Sequence, residues 1–436
     1  AELAAGLCSL KPSVDRLVQS CLMEANADGV VVRHELHDGV IRSAARMTYT
    51  EINTILTVDA EGHAEARARY AALVPLFERM REAFEVLHAG RRRRGAIDFD
   101  LPQPEIILDA AGVIEAIIPS ERNVAHRIIE EFMLLANETV ATYMDRHDHP
   151  TLYRVHEAPD PFKVEEFAAF VTSLGFGLPL QAGGVRPLDF QRLIERVRGA
   201  PEEKPIAFLL LRTMQLARYE AVNRGHFGLA LETYTHFTSP IRRYPDLVVH
   251  RTLRLARRGA LTGARREALD AALPDIGRQS SARERRAMEA ERELVQWKKV
   301  RFMADKVGDE FDGVVTGVAA FGLFVELVEH FVEGLIHVST LADDDYRFVE
   351  PAHQLRGEHT RKVYRLGDRV RVQVLRVDLE RRHIELGMVE VLDHVRRLGM
   401  PARVKVGTTG EKRGATGVRR RTKQATGAPR PRPKRQ

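Results

Sequence analysis

The chain has 436 residues, more than one small domain needs, so two or three domains are expected. Its composition, 44% hydrophobic and 29% charged, is that of an ordinary globular protein. The sequence has no run of 18 apolar residues, so neither a membrane span nor a membrane partner is expected. Two cysteines, Cys8 and Cys21, exclude a disulfide framework and a four-cysteine zinc site and favour a reduced, cytoplasmic location. The first residues lack a secretory signal and an initiator Met, which predicts a fragment or a processed product.

The net charge of +6 is unevenly distributed along the chain. Residues 401–436 hold twelve Lys or Arg against Glu411, a charge of +11, which leaves 55 basic and 60 acidic residues and a charge of −5 in residues 1–400. Such a tail is expected to attract a polyanion by counterion release, without reading its sequence.

Helical spacing dominates the first 300 residues. Apolar positions from Glu65 to Gly90 predict a helix in which Pro75 marks a kink or a fresh start. A run of four arginines and Gly95 then predicts its end. Short strands are expected at Ala96–Phe99, at Glu105–Asp109 and around Val113–Ile118.

A long amphipathic helix is predicted from Glu121 to Asp145. Glu130, Glu131 and Asn137 lie among its apolar positions. They indicate either a solvated edge with one hydrogen-bonded polar group or the lining of a site, and the sequence leaves both open.

The period changes to two from about Gly308, where five short alternating segments with Gly-rich turns predict a small closed barrel. Past Met400 the chain consists of Gly, Thr, Pro, Lys and Arg, too little apolar surface to fold, so a disordered tail is expected.

One loop carries a pattern suited to phosphate binding. Pro240 blocks a helix and allows one to begin directly after it, with Thr238 and Ser239 available as caps. Backbone N–H groups at such a start, together with the forks of Arg242 and Arg243, suit a phosphodiester. Plain helix capping would account for the same residues.

This loop lies in the string HFGLALETYTHFTSPIRRYPDLVVHR, residues 226–251, which resembles the signature of the ribonuclease II/R catalytic domain. Other segments agree in order over roughly residues 3–390, and the ribonuclease R branch is the most similar. They are Leu7–Leu10, Val14–Arg16, Ala45–Tyr49, Arg94–Phe99, Ala125–Glu131, Tyr153–His156 and Glu289–Arg292 leading to Trp297.

The resemblance implies 3′-to-5′ removal of 5′-mononucleotides from single-stranded RNA, with magnesium ions held by an aspartate cluster. It implies that Arg242 binds the scissile phosphate, with Arg243 as a weaker candidate for the same role. It also places His226, Thr238, Ser239 and Tyr244 among the RNA-binding residues.

The sequence departs from the family at the metal site. The family's aspartate cluster, a D-F-D-D string, lies upstream of the Leu7–Leu10 segment and is not in this chain, so no metal ligand is predicted here. Asp98 and Asp100 are interpreted as strand-edge carboxylates, and Asp343–Asp345 as a solvated loop. We therefore expect the chain alone to be inactive and to expose an apolar face within residues 1–50.

The barrel resembles the RNA-binding domain of the ribosomal-protein S-one type. Phe321, Phe324 and His337 match the exposed aromatic face of that module, on which bases stack. A burial role remains the alternative for each, and it is the expectation for Phe311 and Phe331.

These inferences combine into one expected architecture. An α+β catalytic domain, incomplete at its N-terminus, covers residues 1–300; an all-β OB-fold barrel covers 305–390; and a disordered basic tail, contacting RNA or ribosomes, covers 397–436. The predicted function is a 3′-to-5′ exoribonuclease. Two alternatives are a non-catalytic RNA-binding or adaptor protein and a structural subunit whose partner supplies the acids.

Overall fold

The structure, a computed structural model, describes residues 2–98, 104–109, 112, 114–119, 122–180, 184–200 and 202–397. Phe99, Asp100, Val113 and the tail from residue 398 lie outside these ranges, so the predictions made for them stay predictions. Among the residues described, no helix combines the length and the apolar character that crossing a lipid bilayer requires.

The chain begins with a π-helical turn, Glu2–Leu7, and a long antiparallel hairpin, β1 (Asp15–Ala25) and β2 (Val31–Arg42). Cys21 and Leu36 pack against a buried cluster from two later helices. Leu17 and Val40 face each other in register and are 87% and 62% exposed. The exposed apolar surface expected within residues 1–50 is therefore present.

Four helices form the next layer: α1 (Tyr49–Leu56), α2 (His63–Arg69), α3 (Val74–Arg94) and, after a hairpin of β3 (Pro104–Leu108) and β4 (Ile114–Pro119), α4 (Val124–Arg146). Pro75 lies in the first turn of α3, so it starts a fresh helix and does not kink one. Gly95 ends α3 at φ +89°, where a Cβ would lie 2.6 Å from Leu188, so glycine is required.

The strand predicted at Ala96–Phe99 is wrong over its described part. Residues 96–98 are irregular, because the N–H of Ile97 donates to the carbonyl of Gly228 (2.8 Å) instead of to a neighbouring strand. This contact fixes the segment after α3 against the loop that carries the predicted phosphate site.

A two-stranded ribbon and three short helices follow, and then two helices that lead to the barrel. Their bounds are β5 (Tyr153–Val155), α5 (Pro161–Ser173), α6 (Pro187–Val197), α7 (Glu203–Thr213), β6 (Arg218–Glu220), α8 (Tyr244–Arg257) and α9 (Gly263–Phe302). β5 pairs antiparallel with β6, and α5, α6 and α7 share one apolar core.

The C-terminal part is the predicted five-stranded closed barrel. Its strands are β7 (Glu310–Ala319), β8 (Gly322–Leu327) and β9 (Glu333–His337), followed after an insertion by β13 (Arg369–Asp378) and β14 (His383–Met388), in the order β13-β14-β9-β8-β7. Alternate residues point inward, such as Leu323 and Val325, both fully buried.

The insertion is a three-stranded antiparallel sheet that the sequence did not predict: β10 (Tyr346–Val349), β11 (Gln354–Gly357) and β12 (Val363–Arg365). The helix at the end of the described residues, α10 (Val389–Arg397), packs on β13 and β14. The barrel core includes Val300 at the end of α9 and Met303 just after it, and Leu366 joins the α5–α7 core. The barrel is therefore packed against the preceding α+β region.

Candidate functional site

The predicted phosphate loop, residues 225–243, is fastened along β5 by backbone hydrogen bonds. The N–H of Arg154 donates to the Tyr234 carbonyl (2.9 Å), and the N–H of Phe227 donates to the His156 carbonyl (2.7 Å). On the side chain of His156, Nδ1 accepts from the Gly228 N–H (2.9 Å) while Nε2 bonds the Gln215 carbonyl (2.8 Å). Nδ1 thus holds the loop, while Nε2 fixes the ring to the segment between α7 and β6.

Asn137 of α4 fixes the middle of this loop. Its Nδ2 donates to the Tyr234 hydroxyl (2.9 Å), and its Oδ1 accepts from the Phe237 N–H (2.9 Å). The residue is 3% exposed, so water cannot replace either bond without opening the fold. Of the two interpretations of Asn137, the hydrogen-bonded structural group is the one observed.

Asp246 organises the turn that precedes α8. Its carboxylate is fully buried, accepts from the Ser239 N–H (2.8 Å) and forms a bidentate pair with Arg243, at 2.9 Å from Nε and 2.8 Å from Nη2. The helix begins at Tyr244 after Arg243 as the N-cap residue. The prediction that a helix starts directly after Pro240 with a Thr238 or Ser239 cap is therefore wrong, because the helix begins only at Tyr244, without a side-chain capping hydrogen bond, and the Ser239 N–H is bound by Asp246.

Arg242 differs from its neighbour in both exposure and bonding. It is exposed, and its Nε donates to the Ser239 hydroxyl (2.8 Å). Among the described residues, neither of its two terminal nitrogens has a hydrogen-bond partner. Ile241 and Tyr244 beside it are also exposed, at 56% and 54%. The loop thus presents an oriented guanidinium whose outer edge is open to an anion.

Two histidines of the loop, His226 and His236, are kept neutral by burial. Burial lowers the pKa of His226 to about 3 and that of His236 to about 2, and the charges of neighbouring basic residues add to both shifts. His226 Nδ1 accepts from the Leu229 N–H (3.2 Å), and His236 Nδ1 shares a hydrogen bond with the Tyr219 hydroxyl (2.8 Å). The positive charge at this site at neutral pH therefore comes from arginine.

Asp98 belongs to an ion-pair cluster between α3 and α4. It lies 2.8 Å from Arg91 and 3.0 Å from Arg122, and Arg91 also pairs with Glu130 and Glu131. Burial alone would raise the pKa of Asp98, but the charges of Arg91 and Arg122 outweigh it and hold the pKa below its usual value. Asp98 is therefore not a strand-edge carboxylate, and Glu131, 5% exposed, is not a solvated one.

The acidic run of the barrel insertion is also bonded within the fold. The Asp344 carboxylate accepts from the backbone and side chain of both His359 and Thr360. Burial opposes these donors, yet they hold the pKa of Asp344 well below its usual range. Asp343 accepts from the Tyr346 hydroxyl at 3.2 Å. The interpretation as a solvated loop is wrong for Asp344, which is a structural anchor.

The part of the chain that the structure describes offers no cluster of side chains suited to a metal ion. No group of three or more His, Cys, Asp or Glu in it could hold a metal ion. Asp246, the acid nearest in sequence to Arg242, already receives three hydrogen bonds. The described residues therefore do not fit a magnesium site.

The barrel presents an aromatic surface at the β8–β9 edge. Phe321 is 49% exposed, and its ring meets that of Phe324 edge-on, with 5.8 Å between centroids. His337 is exposed and opposes Gly322 in register. At Gly322, with φ +154°, a Cβ would lie 2.2 Å from the Ile336 carbonyl oxygen, so only glycine lets the two strands close here.

The structure brings the predicted site residues together in two groups. His226, Thr238, Ser239, Arg242, Arg243 and Tyr244 share the loop, and Phe321, Phe324 and His337 share the barrel surface. Phe311 is core, as expected, and Phe331 is partly buried against the core. The sequence left open a role for Asn137 at a site, whereas Asp246 was missed as a site residue. An Asp three residues after Arg243, in a helix's first turn, is a signal that could have revealed it.

A closed five-stranded barrel with exposed aromatics, joined to an α+β region, defines a protein of the class built on an oligonucleotide-binding barrel. Residues 1–259 match the family model of the RNB domain, and residues 304–388 match that of the S1 RNA binding domain. Because the first match covers more than half of the chain, the chain belongs to the RNB domain family. The resemblance to the ribonuclease II/R family is thereby confirmed.

Relatives and a solved structure agree with this assignment. The chain is 45% identical over 397 residues to ribonuclease R of Aquifex aeolicus, covering 90% of this chain and 55% of the relative. It is 39% identical over 424 residues to ribonuclease R of Escherichia coli strain K12, covering 94% and 51%. Mycoplasma genitalium RNase R in complex with ribose methylated single-stranded RNA superposes with a TM-score of 0.81 at 27% identity, covering 89% of this chain and 60% of that one. The chain thus spans about half the length of these curated relatives.

Proposed function

We propose that this chain supplies the phosphate-clamping and RNA-binding residues of a 3′-to-5′ exoribonuclease that degrades single-stranded RNA to 5′-mononucleotides in the cytoplasm. The proposal is supported by membership of the RNB domain family and by the likeness to a solved RNase R that holds single-stranded RNA. The domain bounds 1–300, 305–390 and 397–436, and a tail that contacts RNA or ribosomes, belong to the same proposal.

The observation that carries the proposal is the contrast between Arg242 and Arg243. The guanidinium of Arg243 is bound on two nitrogens by the buried Asp246, so its part is to hold the turn. Arg242 is fixed at one nitrogen by Ser239 and exposed at the others. Its charge stabilises the scissile phosphate most when negative charge accumulates in the transition state.

Base stacking on the barrel accounts for much of the affinity for RNA. Phe321, Phe324 and His337 offer ring surface to unstacked bases, each worth on the order of 1–3 kcal/mol. His226, Thr238, Ser239 and Tyr244 complete the contacts near Arg242. Stacking of this kind tolerates any sequence, as a degradative enzyme requires.

Magnesium is the cofactor that we expect for hydrolysis, in keeping with the family, and it would activate water and stabilise the phosphate. The described residues do not fit that metal, since their candidate carboxylates, Asp98, Asp246 and Asp344, are already engaged by arginines or backbone donors. We therefore propose that the chain alone binds RNA without cleaving it, and that the metal ligands of the active enzyme come from a polypeptide that carries the family's aspartate cluster.

The test is Arg242→Ala in a protein that joins this chain to such an aspartate-bearing segment. We expect kcat to fall by a factor of 100 or more, on the order of 3 kcal/mol in the transition state, while RNA affinity changes by less than tenfold. The matched variant Arg242→Lys keeps the charge and should recover part of the rate. An equal loss of rate and affinity would show that Arg242 does not act on the reacting phosphate.

The rival function is RNA binding without catalysis, and it is favoured by the engagement of these same carboxylates within the fold. The joined protein separates the two functions. Magnesium-dependent shortening of RNA from its 3′ end supports the exoribonuclease, whereas unaltered RNA that stays bound supports the adaptor.

A further inference from the structure

The three-stranded sheet inserted in the barrel has one apolar and one basic face. Leu355 and Tyr364 point inward and are buried in the barrel core together with the partly buried Phe348. Alternation along the strands places Arg347, Arg356 and Arg365 on the opposite face, and all three are exposed. We call these three residues the arginine face.

Two of these arginines are paired unfavourably. Arg347 on β10 lies directly opposite Arg356 on β11 in the antiparallel register. Side chains at such positions have Cβ atoms about 5 Å apart, and like charges there destabilise the sheet. Arg365 opposes Gln354 and is thus the diagonal neighbour of Arg356, about 7–8 Å away.

The guanidinium groups of the arginine face have no paired carboxylate among the residues that the structure describes. Among the described residues, none of its three guanidinium groups forms an ion pair or a hydrogen bond. Asp345 and Glu358 flank the strand ends, and Asp368 accepts a hydrogen bond from the backbone N–H of Arg365, but all three acids lie beyond ion-pair distance of these guanidiniums. By contrast, Lys362, on the adjoining turn, is held by both Asp343 and Glu390.

We propose that the arginine face binds the phosphate backbone of RNA, as a contact surface separate from Arg242 and from the aromatic residues of the barrel. Guanidinium forks match phosphate oxygens, and phosphate oxygens brought between opposed arginines remove the repulsion that the free sheet carries. The inference rests on the proposed function for the presence of RNA, and adds where the RNA is held.

The test replaces all three arginines by glutamine in the full chain and measures affinity for a single-stranded homopolymeric RNA against salt. Each phosphate contact contributes about 0.7 to the slope of log affinity against log salt, so the slope should fall by about 2. Between 50 and 200 mM salt, the native affinity should then drop about 16-fold more than that of the variant.

A matched control changes the net charge equally. Arg33, Arg69 and Arg278 are exposed, and each is already paired with a carboxylate. Replacing these three by glutamine should leave the slope within about 0.5 of native. An equal fall of the salt slope in both triple variants would show a response to net charge alone and would overturn the proposal that the arginine face binds RNA.

Stability gives a second readout. Because Arg347 and Arg356 repel each other, Arg356→Gln alone should unfold at the same urea concentration as the native chain or a higher one. Lower stability would show that the arginines support the fold, and would overturn the proposal.

Two further measurements separate the possible failures. Weaker binding of polyglutamate by the triple variant, with an unchanged RNA slope, would assign the face to an acidic protein and overturn the inference. A Phe321→Ala variant that loses RNA affinity while the arginine variant does not would also overturn it, but would leave the proposed function standing. Unchanged RNA binding in both variants would count against the proposed function as well.

Discussion

Replacing Asp246 by alanine should destabilise the α+β region more than almost any other single polar substitution. The carboxylate is fully buried and receives three hydrogen bonds, one from the Ser239 N–H and two from Arg243. Its removal leaves a charged guanidinium and a backbone donor without a partner. Breaking a buried ion pair in this way costs about 3–5 kcal/mol.

The lower end of that range applies here. The side chain of Arg243 is 22% exposed, so water can solvate part of the charge that the alanine variant leaves unpaired. We therefore expect a loss of about 3 kcal/mol in the free energy of unfolding. Asp246→Asn keeps one oxygen as an acceptor for Ser239 and should lose less.

Urea denaturation followed by far-ultraviolet circular dichroism measures the effect, with a double variant as the decisive comparison. Asp246→Ala combined with Arg243→Met leaves no unpaired charge and should be more stable than Asp246→Ala alone. Asp270→Ala, which removes a half-exposed carboxylate 3.7 Å from Arg266, should stay within about 0.5 kcal/mol of native. A similarly small effect for Asp246→Ala, or a double variant less stable than the single one, would refute the assigned role of the ion pair.

Two further predictions concern salt and pH. Deleting residues 401–436, with their charge of +11, should flatten the dependence of RNA affinity on salt, because fewer counterions are released from RNA; an unchanged slope would show that the tail does not bind. Since burial lowers the pKa of His226 and His236 to about 3 and about 2, the unfolded chain takes up protons below pH 6.5 that the folded chain does not. The free energy of unfolding should therefore decrease as the pH is lowered, by about 2 kcal/mol per histidine between pH 7 and pH 5. His236→Gln should reduce this loss, and an equally steep pH dependence in that variant would contradict the assignment.

The barrel could be predicted from sequence because its signal is local. Alternating apolar residues and Gly-rich turns recur over about 80 residues, and each strand shows its own inward positions. The inserted sheet was missed because its strands have only three or four residues, too few for an alternating run to stand out.

The candidate site was predictable in its position and not in its bonding. The signature string located Arg242, but nothing within the loop shows that Asn137, a hundred residues earlier, holds the Phe237 N–H. Glu131 looked like a solvated edge for the same reason, since its partner Arg91 lies on another helix. Pairing between distant elements determines which polar groups are buried, and a single sequence does not reveal it.

The most direct test of the central claim is to incubate the purified 436-residue chain with 5′-end-labelled single-stranded RNA and magnesium, and to follow both binding and RNA length. We expect salt-sensitive binding that Phe321→Ala weakens, and RNA that keeps its full length, since the described carboxylates are engaged within the fold. Stepwise shortening from the 3′ end that a chelator stops and Arg242→Ala abolishes would contradict it, by showing that the metal ligands lie within this chain. Asp98 and Asp100 would then be the first pair to replace.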